Sequence, residues 1–326
     1  MDGSGSQPDV PSSNRPVEGP LSAEEFFATR APVAGVRPCR RLAIGTARLS
    51  GCYKTDQHEK GIQTLHAAWR AGFLLVDTAP GYDAAELLLA EAIQRWRGDR
   101  PIVATKTKQF TWELPAVVAH VHTSRNRLGR IDLLAVHDPQ PTYSDEARKA
   151  ITGFITDLLS EGVIAAAGLG GGGPVVQARW LEGGVFKYVI TFNRLGAVTL
   201  QALTDTVPQA RRFGASVFAA SPLFMGLVGH FHEAYVADRP FYLPPVFITR
   251  AQRVRELADE WGLPLSHLAI RFLLSMPAVD VVVTGPSSPQ DWSDCQAAYE
   301  AGPLPVELYA KVWHIAQTGP EPVTGG

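Results

Sequence analysis

Phe73-Leu74-Leu75-Val76-Asp77-Thr78-Ala79-Pro80-Gly81-Tyr82 is the stretch that decides the fold. An apolar run closes on a carboxylate, and a Pro-Gly turn then leads to a tyrosine. The pattern returns downstream. Ile102-Val103-Ala104-Thr105 closes on Lys106, and Ile131-Asp132-Leu133-Leu134-Ala135-Val136 closes on His137. Short apolar runs separated by helix-length segments read as buried parallel strands. Groups at the carboxyl ends of such strands share one mouth of the sheet, where α/β active sites form. Asp77, Tyr82, Lys106 and His137 therefore converge as a carboxylate, a phenol, an ammonium and an imidazole. Together they make a device for transferring a proton. Taken singly, each has an ordinary use as a strand-end, rim or core residue.

The alternation continues along the chain. Strands are expected at 42–46, 73–77, 102–106, 132–137, 163–168, 187–192, 215–220 and 279–284. Helical periodicity fills 57–71, 84–96, 113–128, 145–160, 174–182, 199–212, 250–276 and 289–300. Eight strands alternating with eight helices imply an α/β fold, a closed (β/α)8 TIM barrel. A doubly wound open sheet would want a Gly-x-Gly-x-x-Gly turn near the first strand, and the sequence has none there. Gly262-Leu263-Pro264 should split the long helical region in two, with Ser266 near the second start. Residues 223–249, rich in Pro, Phe and Tyr, read as an insertion at the active face, where long loops carry specificity. Residues 1–35 read as a mobile tail, and 36–326 as the barrel domain. Within the tail, Ser22 and Glu25 imitate the capping box of a short helix.

Bulk composition excludes several classes. With 326 residues, 45% hydrophobic and 19% charged, the chain can bury a large core. A net charge of −2 gives no nucleic-acid or membrane-surface footprint. No apolar run is long enough to span a membrane, and with no basic stretch followed by an apolar core near residue 1, a secretory signal is not expected. Cys39, Cys52 and Cys295 are odd in number and far apart. They suit a reducing compartment, so a cytoplasmic protein is expected. No zinc-like cluster is present, and no metal is expected.

These residues resemble the aldo-keto reductase superfamily. The resemblance rests on Asp77-Thr78-Ala79-Pro80-Gly81-Tyr82, Ala104-Thr105-Lys106 and Asp132-Leu133-Leu134-Ala135-Val136-His137. It continues in Ala220-Ser221-Pro222-Leu223-Phe224-Met225-Gly226-Leu227, Leu268-Ala269-Ile270-Arg271-Phe272-Leu273-Leu274 and Val283-Thr284-Gly285, covering about residues 40–300. The loop after strand seven, with His137-Asp138, is most similar to the sugar-oxidising branch typified by L-galactose dehydrogenase and related aldose dehydrogenases. The resemblance implies hydride transfer with a nicotinamide cofactor. Tyr82 would be the acid or base, with its pKa lowered by Lys106. Asp77 would keep Lys106 charged, and His137 would hydrogen-bond the substrate oxygen. It further implies cofactor contacts from Gly45, Thr46, Gly170, Gly171, Thr191, Ser221, Pro222, Leu223, Gly226, Gly285, Ser287 and Asp291. Phe110 and Trp112 are candidates for the substrate pocket or for a plain hydrophobic rim. Phe224 and Met225 are expected in the loop core, and Trp292 in helix packing. Gly170-Gly171-Gly172-Gly173 serves either close cofactor approach or a flexible connection.

The chain departs from the family at several cofactor positions. Gly170-Gly171 stand for the Ser-Asn after strand five, Thr191 for the strand-six glutamine, and Ala220 for the stacking tyrosine. Asp294-Cys295 stand for the Glu-Asn pair at the adenine. The loop Gly285-Pro286-Ser287-Ser288-Pro289-Gln290-Asp291 lacks the Lys or Arg that would meet a 2′-phosphate. NAD is therefore favoured over NADP, unless Arg211, Arg212 or Arg250 reaches in. The expected activity is oxidation of an aldose at C1 to a lactone. The rivals are NADPH-dependent reduction of an aldehyde or ketone, and a regulatory cofactor-binding subunit with little turnover. The expected partner is a small carbonyl or sugar substrate. Oligomeric state is open.

Overall fold

The computed structural model describes residues 19–49 and 58–318. Cys52 lies outside them. The strands are β1 Leu42–Gly45, β2 Leu75–Asp77, β3 Ile102–Lys106, β4 Leu133–His137, β5 Ala166–Gly170, β6 Phe186–Phe192, β7 Ser216–Ala220 and β8 Val281–Thr284. They are all parallel and close in sequence order, with β8 pairing back to β1. The closed barrel expected from the sequence is the architecture found, and the open-sheet rival is excluded.

Two strands begin later than their apolar runs. Phe73 N donates to Ala68 O at the end of α2 (His58–Arg70). Val163 N and Ile164 N donate to Leu158 O at the end of α5 (Asp145–Ser160). The preceding helix holds the first residues of each run, so the ladder starts at Leu75 and at Ala166.

The other helices that flank the barrel are α3 Ala85–Arg95, α4 Leu114–Leu128, α6 Pro174–Leu181, α7 Thr206–Arg212, α9 Pro245–Glu260, α10 Leu265–Leu274 and α11 Pro289–Glu300. The expected break at Gly262-Leu263-Pro264 separates α9 from α10, with Gly262 at φ +63. Two helices were not anticipated. α8 (His232–Asp238) sits in the insertion. α12 (Val306–Gln317) buries Leu308, Tyr309, Val312, Trp313 and Ile315. Trp292 packs edge-on to Phe73 at 5.1 Å between centroids, as expected of a helix-packing residue.

The expectation of a tail over 1–35 is corrected for residues 19–35. Helix α1 (Ala23–Phe27) carries the anticipated capping box: Glu25 N donates to Ser22 Oγ at 3.3 Å, and Ser22 N donates to Glu25 Oε2 at 3.0 Å. The segment is tied down by Leu21 N donating to Ser275 O and by a bridge between Arg30 and Cys39. Phe26 is buried against Tyr299 at 5.5 Å. Val33, Val36 and Cys39 share one buried cluster with the lumen residues Ala43, Leu75, Ile102 and Val281, and so stop the amino-terminal end of the barrel. The apolar side chains here are too few to show a period, which is why the segment read as a tail. Residues 1–18 lie outside the described part.

Alternation along each strand divides lumen from helix layer. Ala104, Ala135, Ala166, Tyr188, Phe218 and Val283 belong to the lumen cluster, while Val103, Leu134, Val136, Leu169, Val189 and Val217 pack under the helices. Strand β5 offers the lumen almost no side chain. Its Gly168 leaves room for Tyr188, whose ring atoms lie 2.4 Å from where a Cβ would be. Tyr188 stacks on Phe218 at 4.9 Å, and this pair fills the middle of the barrel.

Candidate active site

Asp77 ends β2, Lys106 ends β3 and His137 ends β4, on neighbouring strands of one mouth. Tyr82 lies in the turn before α3, its N–H donating to Ala79 O. Lys106 is buried, and its ammonium donates to both oxygens of Asp77 at 2.8 Å and to Thr78 O at 2.9 Å. The same nitrogen stands 4.8 Å from the Tyr82 ring centroid. The Tyr82 and His137 rings meet edge to face at 5.7 Å. Structure and sequence agree that these four groups come together.

The lysine's stem runs along β5. A Cβ on Gly170 would lie 3.2 Å from Lys106 Cδ and 3.3 Å from Cε. Gly170, expected at the cofactor, is thus also the space that the catalytic-face lysine occupies.

The charges follow from burial and neighbours. Burial alone would push Lys106 down, but the charges of Asp77 and Tyr82, and hydrogen bonds to both, hold its pKa above the ordinary lysine value. Burial, then the Lys106 charge, pushes His137 down to about 3, against a hydrogen bond to the Thr107 backbone; the His137 main-chain N separately donates to Thr107 Oγ1 at 3.1 Å. The imidazole is therefore neutral at physiological pH. Asp138 Oδ2 lies 3.9 Å from His137 Nε2, and with a neutral ring this is no ion pair. His137 Nδ1 is buried with no protein partner. The site thus holds one charged pair, one phenol and one neutral ring that can donate a single hydrogen bond.

The remaining expected residues are placed as follows. Gly45 faces the mouth beside Val283 Cγ1. Thr46 is fully buried, and its hydroxyl donates to Thr78 Oγ1 at 2.8 Å, bracing the β2 loop rather than facing outward. Thr191 pairs with Ala219 on the helix side of the sheet and is buried. Ser221 takes φ +63 and its Oγ accepts from Met225 N, with Pro222, Leu223 and Gly226 completing that loop. Phe224 is core, packed edge-on to Phe247, while Met225 is partly exposed. Phe110 is exposed at φ +56, and Trp112 leans on Tyr143 at 5.6 Å. Gly285 has open space where a Cβ would stand. Ser288 caps α11, and Asp291 Oδ2 accepts from Ser287 N at 2.9 Å and Ser287 Oγ at 2.5 Å. Burial opposes charge on Asp291, but Ser287, Ser288 and nearby His230 outweigh it and hold its pKa low.

Sequence reasoning missed several residues at this face. Gln177 Nε2 donates to Gly171 O at 3.1 Å, and Gln177 Oε1 and Asn193 Oδ1 are buried acceptors without a protein partner. Gln177 Oε1, on an amide already bound to Gly171, is an orphaned acceptor of the kind that fits the amide of a nicotinamide, where the family's Ser-Asn is absent. Arg48 reaches Phe231 of the insertion, 5.5 Å from its ring, and with Asp291 it biases His230. Gln177 and Arg48 close no apolar run, so periodicity could not find them, whereas Asn193 follows Tyr188-Val189-Ile190-Thr191-Phe192 and was within reach of the same reading. Arg250 is buried on Val198 O and Thr318 O. Arg211 holds Asp280 at the opposite end of the barrel, and Arg212 covers Phe213. Among the described residues there is no group of acidic, Cys or His side chains arranged for a metal, and no helix long and apolar enough to cross a membrane.

Comparison with known proteins agrees with this geometry. The chain is 25% identical over 305 residues to D-threo-aldose 1-dehydrogenase of a Pseudomonas species, covering 83% of this chain and 92% of that one. It is 25% identical over 299 residues to pyridoxal 4-dehydrogenase of Microbacterium luteolum, covering 76% and 86%. The glycerol dehydrogenase of Gluconobacter oxydans superposes with a TM-score of 0.72 at 22% identity, over 92% of this chain and 98% of that one, and so shares its fold. Residues 41–316 match the model of the aldo/keto reductase family. A closed barrel carrying Asp77, Tyr82, Lys106 and His137 at one mouth, over the span of that match, makes this chain a member of the aldo/keto reductase family and an NAD(P)-dependent oxidoreductase.

Proposed function

We propose that this enzyme oxidises a sugar-like substrate at its anomeric carbon to the lactone, with NAD favoured. The observation that carries the reading is the buried Asp77–Lys106 pair beside Tyr82 and a neutral His137. Tyr82 takes the proton of the C1 hydroxyl. Its phenol has an ordinary pKa of about 10, and Lys106 favours the phenolate that accepts the proton. Asp77 keeps Lys106 charged in a site that would otherwise neutralise it. His137, as a neutral donor, binds the substrate oxygen without competing for the proton. The nicotinamide, when bound, supplies the hydride acceptor. Residues that would hold it are Gln177, Asn193, Ser221, Leu223, Gly285 and Ser287.

The aldose 1-dehydrogenase relative supports the substrate class. Asp291 supports NAD, because its carboxylate already takes the donors of Ser287 that a 2′-phosphate would need. The second reading, reduction with NADPH, is favoured by Arg48, which brings a guanidinium to this side of the mouth. Exposed large apolar residues lie mostly on mouth loops, at Phe110, Trp112, Met225, Phe231, Phe241 and Tyr242, which suits a substrate rim more than a regulatory partner surface on a helix. Buried free thiols at Cys39 and Cys295 suit the cytoplasm.

The test is absorbance of the reduced cofactor, formed from NAD or NADP over a panel of aldoses and, as a separate reaction, consumed as NADH or NADPH with a panel of aldehydes. Lactone formed with NAD at a higher kcat/KM than with NADP is the expected result. Turnover confined to aldehyde reduction with NADPH would overturn it.

A further inference from the structure

The geometry points to Asp138, held by Gln109, as a recognition site for hydroxyl groups next to the reacting carbon, an inference that rests on the sugar-like substrate proposed above. Asp138 follows His137 directly, and its Oδ2 lies 3.9 Å from His137 Nε2, with its side chain 32% exposed. Gln109 Nε2 donates to Asp138 Oδ2. Gln109 Oε1 in turn lies 3.5 Å from where a Gly81 Cβ would stand, next to Tyr82. The Gln109–Asp138 pair thus spans the gap between the Tyr82 turn and the end of β4.

Two local features hold this carboxylate where it is. Asp138 adopts φ +44, a left-handed backbone that most residues avoid. A Cβ on Gly171 would lie 1.9 Å from Asp138 Oδ1, and Gly171 itself takes φ +83. Such strain persists where the surroundings over-determine it, and it clusters at ligand-binding sites.

An ionised carboxylate only accepts hydrogen bonds and has about four lone-pair sites. Gln109 uses one, and its amide retains one N–H and a carbonyl oxygen. That array matches hydroxyls on adjacent carbons, which donate and accept at close spacing. A carbonyl compound without neighbouring hydroxyls has nothing to give it. Trp112, resting on Tyr143, adds an apolar wall of the kind that packs against the C–H face of a sugar ring.

The experiment compares kcat/KM for glyceraldehyde and for propanal, which share the reacting carbonyl and differ in two hydroxyls. The wild type is run beside Asp138→Gly and Asp138→Asn. Glycine accepts the left-handed backbone without strain, and asparagine tolerates it. Thermal melts confirm that both variants fold. The wild type should prefer glyceraldehyde. In Asp138→Gly the glyceraldehyde-to-propanal ratio should fall about 10- to 100-fold, the value of a lost charged hydrogen bond. Asp138→Asn should fall part of the way. An unchanged ratio in Asp138→Gly, including an equal loss on both substrates, would overturn the assignment, as would a wild type that prefers propanal. A collapsed ratio in an enzyme that forms no lactone from any aldose would sustain Asp138 and sink the C1-oxidation reading alone.

Discussion

Acid should destabilise this protein through His137, by an amount the structure sets. In the unfolded chain the imidazole takes a proton near its ordinary value of 6.5, whereas in the native barrel burial and Lys106 keep it neutral down to about 3. Between those values the unfolded state binds more protons, so stability falls as pH falls from about 6.5 toward 3. Between pH 7 and pH 5 this single group accounts for about 2 kcal/mol. His120, His230 and His267 are also pushed down by burial and add to the slope in every variant. The useful quantity is therefore the difference between wild type and His137→Gln in urea unfolding at the two pH values. The wild type should lose about 2 kcal/mol more than the variant on acidification. Equal losses would refute the reasoning. They would mean that the ring is already protonated in the native state, held by Asp138 across 3.9 Å, and that the site has no neutral hydrogen-bond donor.

Tyr82→Phe should lower turnover at least ~100-fold while leaving cofactor affinity nearly intact, since the ring and its contact with His137 remain; near-normal kcat in the purified variant would remove Tyr82 from its role. Phe26→Ala should cost about 3–5 kcal/mol, a fall in Tm of roughly 5–8 °C for a chain of this size, because the side chain is buried against Tyr299. A melt unchanged by that substitution would restore the view of the segment as dispensable.

The barrel was legible because its signal is periodic. Each run from Phe73, Ile102 and Ile131 is apolar on both faces, as a strand between lumen and helices must be, and each ends on a group that has to reach the mouth. The tetrad was legible for the same reason: the positions sit at the ends of runs. What escaped is aperiodic. Gln109 and Asp138 lie one to three residues beyond a strand, in loops whose course depends on left-handed backbone at Phe110 and Asp138. The alternation also hid the direction of Thr191, which looks like a mouth residue by number but points to the helix layer. The first-turn Phe26 was visible, yet one apolar helix turn carries no phase to say which face it buries.

The near-empty lumen face of β5 has a consequence for how this sequence can change. Gly168 accommodates the Tyr188 ring, and Gly170 accommodates the stem of Lys106. Neither glycine is free to drift alone. A methyl at position 168 demands a smaller ring across the lumen, and a smaller ring alone leaves a void beside Phe218. Substitutions at 168 and 188 should therefore be strongly non-additive, each harmful singly and partly compensating together. At 170 a Cβ would press on the Lys106 stem at 3.2 Å, and the outcome depends on whether a lysine tied by its ammonium to Asp77 and Thr78 can give by a few tenths of an ångström. Mutational tolerance in this barrel is thus set in part from a strand that contributes almost no side-chain atoms to its interior.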